Sequence, residues 1–470
     1  MSYTYFFTDS ILCFIKKRKV DYKMSNTISR TELFESAPIP KAFFALALPS
    51  VFGKIIMLLY NLADTWFIAS TDNANMVAGV ALVSPVFMIM IALGDIFGVG
   101  GSSIVSRRMG QKQKEDTRRI SALCFYSAFI LGILFAILLL LLKEPMLMLL
   151  GTDANTYSHA SDYYTYIILG APFILACNTP MNLLRTEGLA TSSMIGSIAG
   201  SVTNIILDPI FILGFDMGAS GAAIATVIAN IVSLAAYAYF YKKTDWISIH
   251  YKYFNLNVTD IKNILSVGIP AALNNIMNSF AMTITNRAIV PFGNNMIAAW
   301  SIAGRCTMIS TMLLVSCSFS SLPLIGYNYG QKNYERLKKI LKFLYTFEIS
   351  LALICASIMA IFAPTLISFF MDDSTIITNG ALILRCQLLG IACSAIILIT
   401  TCVFQAIGNG TATLISTLSR QGLLFIPILI IGSHFFKFNG ILLAQPITDF
   451  ITSILVLVIL YRQKIYEPKL

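Results

Sequence analysis

Long apolar stretches separated by short polar segments run through almost the whole chain. Twelve of them hold about 20 or more mostly apolar residues, the length that crosses a bilayer as a helix. A helix satisfies its own backbone hydrogen bonds in lipid, and no stretch shows the strict alternation of a barrel strand. The pattern predicts an all-α polytopic membrane protein with twelve transmembrane helices. The twelve stretches are 41–69, 76–101, 118–142, 160–181, 186–213, 217–241, 261–290, 295–323, 338–363, 378–407, 410–432 and 438–461.

Composition excludes a water-soluble protein. Of the 470 residues, 57% are hydrophobic and only 12% are charged, with a mean hydropathy of +0.76. Soluble domains carry about 25% charged residues. A chain with half of that proportion of charged residues cannot cover the surface of a soluble particle of this size.

The net charge of +10 is distributed along the chain as membrane orientation requires. Of the 33 Lys and Arg, 26 fall in the termini and in every second loop, two fall in the alternate loops and five lie inside spans. Positively charged loops stay in the cytoplasm. The split places both termini in the cytoplasm and removes the reason to expect nucleic acid as a partner.

The chain also repeats itself. Gly110-Gln111-Lys112 recurs as Gly330-Gln331-Lys332 inside equivalent basic loops, and the separation of these two tripeptides defines a repeat interval. Six helices per half give both halves the same orientation, which predicts two pseudo-symmetric six-helix lobes with a site near the midplane between them. The predicted organisation is a cytoplasmic N-terminal tail (1–40, with Met24 as an alternative start), an N-lobe (41–245), a cytoplasmic linker (246–260), a C-lobe (261–462) and a cytoplasmic C-terminal tail (463–470).

Carboxylates inside the predicted spans are candidates for function, because ionisable groups are costly in lipid. Asp208 has Asn204 one helical turn earlier and Pro209 directly after it. Proline removes a backbone donor and frees the carbonyl of Ile205. With Asp64 on the first helix, these groups form a cluster of hard oxygen atoms that suits a proton or Na⁺. The alternative is that both aspartates are satisfied polar contacts between helices.

Other polar residues in the spans are less specific. The many Met, Phe and Tyr side chains suit a cavity that accepts varied apolar or cationic guests. Asp95 fits a structural role, and Glu348 and Asp449 are left open. The residues expected in the substrate cavity are Asn61, Asn275, Met277 and Met282.

Several motifs are missing from the sequence. It has no GxxxxGK[ST] phosphate loop, no HExxH and no CxxC pair among its nine cysteines. These absences argue against ATP hydrolysis, a zinc enzyme and a redox motif. We therefore expect neither an enzyme nor a cofactor, only a coupling ion.

At this level the chain resembles the multidrug and toxic compound extrusion (MATE) family, in particular its bacterial DinF/MepA-like branch. The resemblance covers about residues 39–461. It rests on the order and spacing of Leu48-Pro49-Ser50, Tyr60-Asn61-Leu62-Ala63-Asp64-Thr65, Gly98-Val99-Gly100-Gly101, Arg185-Thr186-Glu187-Gly188 and Leu207-Asp208-Pro209.

The resemblance implies an outward-opening V of two lobes with a cation or proton site in the N-lobe. Carried over by motif and spacing, that site comprises Asp64, Tyr163, Asn204, Asp208 and Thr226. Another branch of the family has acidic residues on helices 7 and 10. This chain instead has Asn274, Asn275, Arg385 and Gln387 there.

The resulting hypothesis is an H⁺- or Na⁺-coupled antiporter in the bacterial cytoplasmic membrane that exports organic cations and other amphipathic drugs. Its partners would be small-molecule drugs and membrane lipids. A monomer is the simplest assembly, because two lobes of one chain form the pathway. The alternative is a lipid-linked saccharide flippase, whose pyrophosphate would need intramembrane cations such as Arg287, Arg305, Arg385 and Arg420.

Overall fold

The computed structural model describes residues 30–71 and 73–463, a range that contains no β-strand. The alternative start at Met24 lies outside these residues. The spanning helices of the first half are α1 (Ile39–Ala69), α2 (Ala74–Gly110), α3 (Lys114–Leu141), α4 (Tyr157–Leu169 and Ala171–Thr186), α5 (Ala190–Pro209, continued by the π-helix Ile210–Gly214) and α6 (Gly218–Tyr241).

The second half repeats this series. Its spanning helices are α7 (Val258–Ile289), α8 (Asn294–Gly330), α9 (Tyr334–Ile361), α10 (Ser374–Leu388 and Ile391–Ile407) and a final stretch formed by Gly410–Leu418, the π-helix Ser419–Leu423 and Phe425–Arg462.

Short helices connect the spans of both halves at Lys143–Leu149, Tyr251–Tyr253, Val290–Phe292 and Ala363–Ser368, and another, Arg30–Glu35, precedes α1.

The final stretch is two spans rather than one. Lys437 has a left-handed φ of 50°, which breaks the helix. The backbones of Gly432 and Gly440 touch, although the intervening stretch of straight helix would separate them by about 12 Å. The chain therefore reverses at Lys437, and we name residues 410–436 α11 and residues 438–462 α12.

The number of spans follows from this reversal. In the described residues, eight helices are long and apolar enough to cross a membrane, and two pairs bent by 51° and 42° raise the number to ten. The reversal divides one of these, and α7, whose 32 residues are less apolar, completes the set. The structure confirms the predicted all-α fold with twelve spans.

The repeat is confirmed in the helix boundaries. Helices α2 and α8 begin and end at the repeat interval that the two tripeptides define, and so do α3 and α9. The breaks within α4 and α10, at Gly170 and Gly390, keep the same interval.

Hydrophobic packing divides the molecule into lobes that meet at one end. A core near the basic loops draws on both halves, from Phe34 to Ala406. At the opposite end, the N-lobe and the C-lobe have separate cores. This arrangement produces a V that opens away from the basic loops.

The lobes meet most closely where α2 crosses α7. A Cβ added at Gly268 would collide with the carbonyl oxygen of Ile96, and one at Gly100 would collide with that of Ile264. Gly110 and Gly330 make the same kind of contact between α2 and α8. Glycine permits these crossings because it has no Cβ.

Gly268→Leu is expected to lower the midpoint of thermal unfolding in detergent, because overpacking of this kind costs about 1–3 kcal/mol. Gly304→Leu is the matched control, since a Cβ there meets nothing within 4 Å. Equal midpoints for the two variants would contradict the tight crossing.

Candidate functional site

The two predicted carboxylates meet inside the N-lobe. Asp208 is fully buried near the end of the regular part of α5, just before Pro209 and the π-helical turn. Asp64 lies on α1 with its carboxyl group next to that of Asp208. The prediction that α1 and α5 bring these side chains together agrees with the structure, and their coupling role stays a prediction.

The carboxylate pair lacks the partners that a structural contact would have. Within the described part of the chain, Asp64 Oδ1 and both carboxylate oxygens of Asp208 are buried without a hydrogen-bond partner. Buried polar atoms are normally satisfied, and each exception requires an explanation. A bound proton or cation would supply the missing interaction, so the residues present fit a coupling ion.

Two neutral polar residues complete the cluster. Asn204, fully buried on α5, donates from Nδ2 to Thr226 Oγ1 on α6 at 3.4 Å. Its amide oxygen has no partner among the described residues. The cluster therefore presents neutral and anionic oxygens together, which suits a hard cation.

The structure separates the three neighbouring tyrosines of α4. Tyr163 is buried and lies within electrostatic range of Asp64 and Asp208. Tyr164 turns away and donates its hydroxyl to the carbonyl of Leu139 at 2.8 Å. Tyr166 is 40% exposed. Tyr163 therefore occupies the register that the resemblance to the family implied.

Tyr60 is a member of the cluster that the predicted set omits. Its hydroxyl lies against Thr226 and near both aspartates. It is one helical turn from Asp64, and i, i+4 spacing on α1 places it on the same face of the helix.

A cavity of about 210 Å³ opens beside the cluster, within the N-lobe. Its wall includes Tyr60 and Asn204, so the cavity reaches the coupling residues. The rest of the wall comes from α1, α2, α4, α5 and α6 and combines apolar residues, such as Met57, Phe87 and Met194, with polar or charged ones. The polar or charged residues include Ser50, Lys54, Asp95, Asn178, Arg185, Ser193, Ser197, Ser201, Asn230 and Ser233.

The described residues that were predicted to line the substrate cavity are absent from the wall of the N-lobe cavity. Asn275 donates to Asp95 Oδ2 at 3.1 Å and so contacts the N-lobe cavity wall from the other lobe. Met277 lies beside Gly422 on α11, and Met282 is 67% exposed. These methionines lie outside the N-lobe cavity because α7 belongs to the C-lobe. The side chain of Asn61 lies outside the described residues.

The C-lobe has no copy of the carboxylate cluster. The positions that follow Asp64 and Asp208 by the repeat interval hold Ile284 and Ile428. The C-lobe has a buried ion pair instead, in which Arg420 Nε donates to Asp449 Oδ1 at 3.0 Å. Glu348, which the sequence left open, is also fully buried and accepts a 2.5 Å hydrogen bond from Ser318.

Twelve spans in two repeated lobes, with an ionisable site inside one lobe, define a polytopic membrane transporter. The MatE family model matches residues 49–210 and, a second time, residues 270–431. The chain therefore belongs to the MatE family.

Curated relatives support this assignment. The multidrug export protein MepA of Staphylococcus aureus is 29% identical over 430 residues, which cover 91% of this chain and 95% of the relative. MepA of Staphylococcus saprophyticus is also 29% identical, with the same coverage.

Solved structures agree over nearly the whole chain. An outward-facing multidrug resistance MATE transporter of the MOP superfamily is 28% identical, with a TM-score of 0.86 over 94% of this chain and 98% of the other. A MATE structure in the bent conformation is 27% identical, with a TM-score of 0.87 and the same coverage.

Proposed function

We propose that this protein exports amphipathic drugs, including organic cations, by antiport against H⁺ or Na⁺. The observation that carries the proposal is the buried pair Asp64 and Asp208, which has unpartnered oxygens beside a cavity in the N-lobe. Relatives named as multidrug export proteins support the choice of cargo. We assign no catalytic activity and no cofactor.

The coupling mechanism follows from the position of α1. This helix carries Asp64 and also lines the cavity through Lys54 and Tyr60. A cation that binds between Asp64 and Asp208 offsets part of their negative charge and draws α1 and α5 together. The same movement reshapes the cavity and releases the drug on the outer side. An inward gradient supplies about 2.3 kcal/mol per charge per 100 mV.

Orientation and assembly belong to the same proposal. Basic residues of both halves, among them Arg107, Arg108 and Lys332, line one cavity of about 940 Å³ where the two lobes meet. Positive residues stay on the cytoplasmic side of a bacterial cytoplasmic membrane. Both termini are then cytoplasmic and the V opens outward. Both lobes of the pathway are in one chain, so we propose a monomer.

The positions of the four arginines do not support the flippase alternative that they suggested. Arg420 is held by Asp449, so its charge is already neutralised. Arg287, Arg305 and Arg385 are exposed on the C-lobe and do not line the N-lobe cavity.

Ethidium transport into inverted vesicles tests the function and the ion together. A proton gradient and a sodium gradient are imposed separately, with vesicles that lack the protein as the control. We expect accumulation with one gradient or both, which also identifies the ion. Failure of either gradient to move any of several cationic dyes would overturn the proposal and return attention to lipid-linked substrates.

A further inference from the structure

Two basic side chains line the N-lobe cavity, and the coupling mechanism does not use their charges. Lys54 is the central residue of α1, which runs from Ile39 to Ala69. Arg185 lies in the last turn of α4. A lysine at the centre of a spanning helix is costly and normally faces a partner or a water-filled cavity.

Neither cation has a dedicated partner. Among the described residues, neither Lys54 nor Arg185 forms a salt bridge within 4.0 Å. Within the described part of the chain, the one hydrogen-bond contact of the Lys54 ammonium is with the sulfur of Met57, at 4.0 Å. The two cations lie close enough to repel each other.

Asp95 supplies one negative charge, which is less than the two cations need for neutralisation. It is the one carboxylate among the described residues of the cavity wall, and it attracts both Lys54 and Arg185. However, its Oδ2 already accepts the hydrogen bond from Asn275 of the other lobe. Two basic residues and one carboxylate give the wall one formal positive charge in excess.

We propose that Lys54 and Arg185 form an anion subsite in the N-lobe cavity, which binds the carboxylate of an amphipathic or zwitterionic guest. The inference deepens the proposed export function, because it names a class of cargo. Guanidinium and ammonium groups are the usual partners of carboxylates in proteins. The cavity is smaller than a typical drug site of about 300–1,000 Å³, so it takes the anionic end of the guest.

The spacing along α1 suits a zwitterion. Lys54 precedes Asp64 by nearly three helical turns, which is about 15 Å along the helix axis. The cavity wall reaches Tyr60 and Asn204, so a guest whose carboxylate binds Lys54 and Arg185 can direct its amine towards the coupling carboxylates, which lie outside the wall. A purely cationic guest has no anionic group that Lys54 and Arg185 can bind.

A pair of dyes that differ in one group tests the subsite. Rhodamine 110 carries a free carboxylate, and rhodamine 123 is its methyl ester. Binding of each to the purified full-length protein is measured by fluorescence anisotropy in detergent. We expect the wild type to bind the acid about tenfold more tightly than the ester, as one charge-assisted hydrogen bond allows. In Lys54→Met that ratio should fall to about one.

Matched variants distinguish an effect of the lost charge from an effect of impaired folding. Lys54→Arg keeps the charge and should keep the preference for the acid. Lys143→Met removes a lysine outside the cavity, at the start of the short helix Lys143–Leu149, and should also keep it. Arg185→Gln provides a second measurement if Lys54→Met cannot be recovered from the membrane. Its ratio should also fall towards one.

Two outcomes overturn the subsite: a wild type that does not discriminate between the dyes, or a preference that survives both cavity variants. Neither result depends on an ion gradient. A wild type that exports ethidium but binds both dyes equally overturns the subsite alone. Loss of gradient-driven ethidium transport overturns the export function instead.

Discussion

Asp208→Asn is expected to abolish gradient-driven drug efflux while leaving the protein folded. Asparagine has nearly the shape of a protonated aspartic acid, so the fully buried site keeps its packing. It can neither release a proton nor offer a negative charge to Na⁺. Efflux is measured as the initial rate of ethidium transport at equal expression, with the melting midpoint as the measure of folding.

Asp162→Asn is the control for this variant, because Asp162 is an exposed aspartate of the same lobe. Its efflux should match the wild type. Asp64→Asn should resemble Asp208→Asn, and the double variant should be no worse than either one, because residues that act as a unit are not additive. Normal drug resistance in Asp208→Asn would rule out a coupling role for this carboxylate.

Most of the fold could be predicted from hydropathy and the internal repeat. The stretch 217–241 differs by one residue from α6, and Gly110-Gln111-Lys112 marks the end of α2 as its copy marks the end of α8. Both cues can be recognised in a single sequence without knowledge of its three-dimensional packing.

The predicted helix boundaries are wrong where a helix does not begin or end with its apolar stretch. Residues 102–110 are helical although they include three serines and two arginines, because α2 continues beyond its apolar stretch to pack against α8. The stretch 186–213 begins too early, since Thr186 ends α4 and α5 starts at Ala190. Residue 170 interrupts α4 without any polar break in the sequence. Packing between helices determines these features, and hydropathy does not report it.

The site was predictable in part. Asp64, Asn204 and Asp208 could be selected because ionisable and amide groups are unusual in lipid. Tyr163 and Thr226 required the resemblance to a family, since nothing in their own segments distinguishes them. Arg185 directly precedes the predicted span 186–213, and only the structure brings it to the same cavity as Lys54. Such convergence across several helices has no signature in local sequence.

The C-lobe has a polar cluster where the N-lobe has its cavity. Asp449 is nearly fully buried and accepts hydrogen bonds from Arg420, Gln445 and Ser394. The π-helical turn at Ser419–Leu423 contains Arg420, and an extra residue of this kind redirects side chains. The positions that precede Ser394, Arg420 and Asp449 by the repeat interval are Ile174, Gly200 and Ala229, which all line the N-lobe cavity.

The Arg420–Asp449 ion pair therefore fills the region of the C-lobe that corresponds to the open cavity of the N-lobe. Removing only Asp449 leaves the guanidinium of Arg420 buried without a counter-charge. Asp449→Ala is expected to destabilise the protein by about 3–5 kcal/mol, because an unpaired buried charge is costly. We expect a sharply lowered melting midpoint in detergent and a poor yield from the membrane.

Replacing both partners should be far less harmful than replacing one. Arg420→Met with Asp449→Leu removes both charges and keeps similar volumes, and such exchanges are often neutral or stabilising. Arg305→Met, at an exposed arginine of the same lobe, controls for loss of positive charge. If the double variant melts as low as Asp449→Ala, the pair contributes more than mutual neutralisation. If the double variant is stable and still exports drug, the C-lobe needs this region filled and not charged, and the ionisable chemistry of transport belongs to the N-lobe.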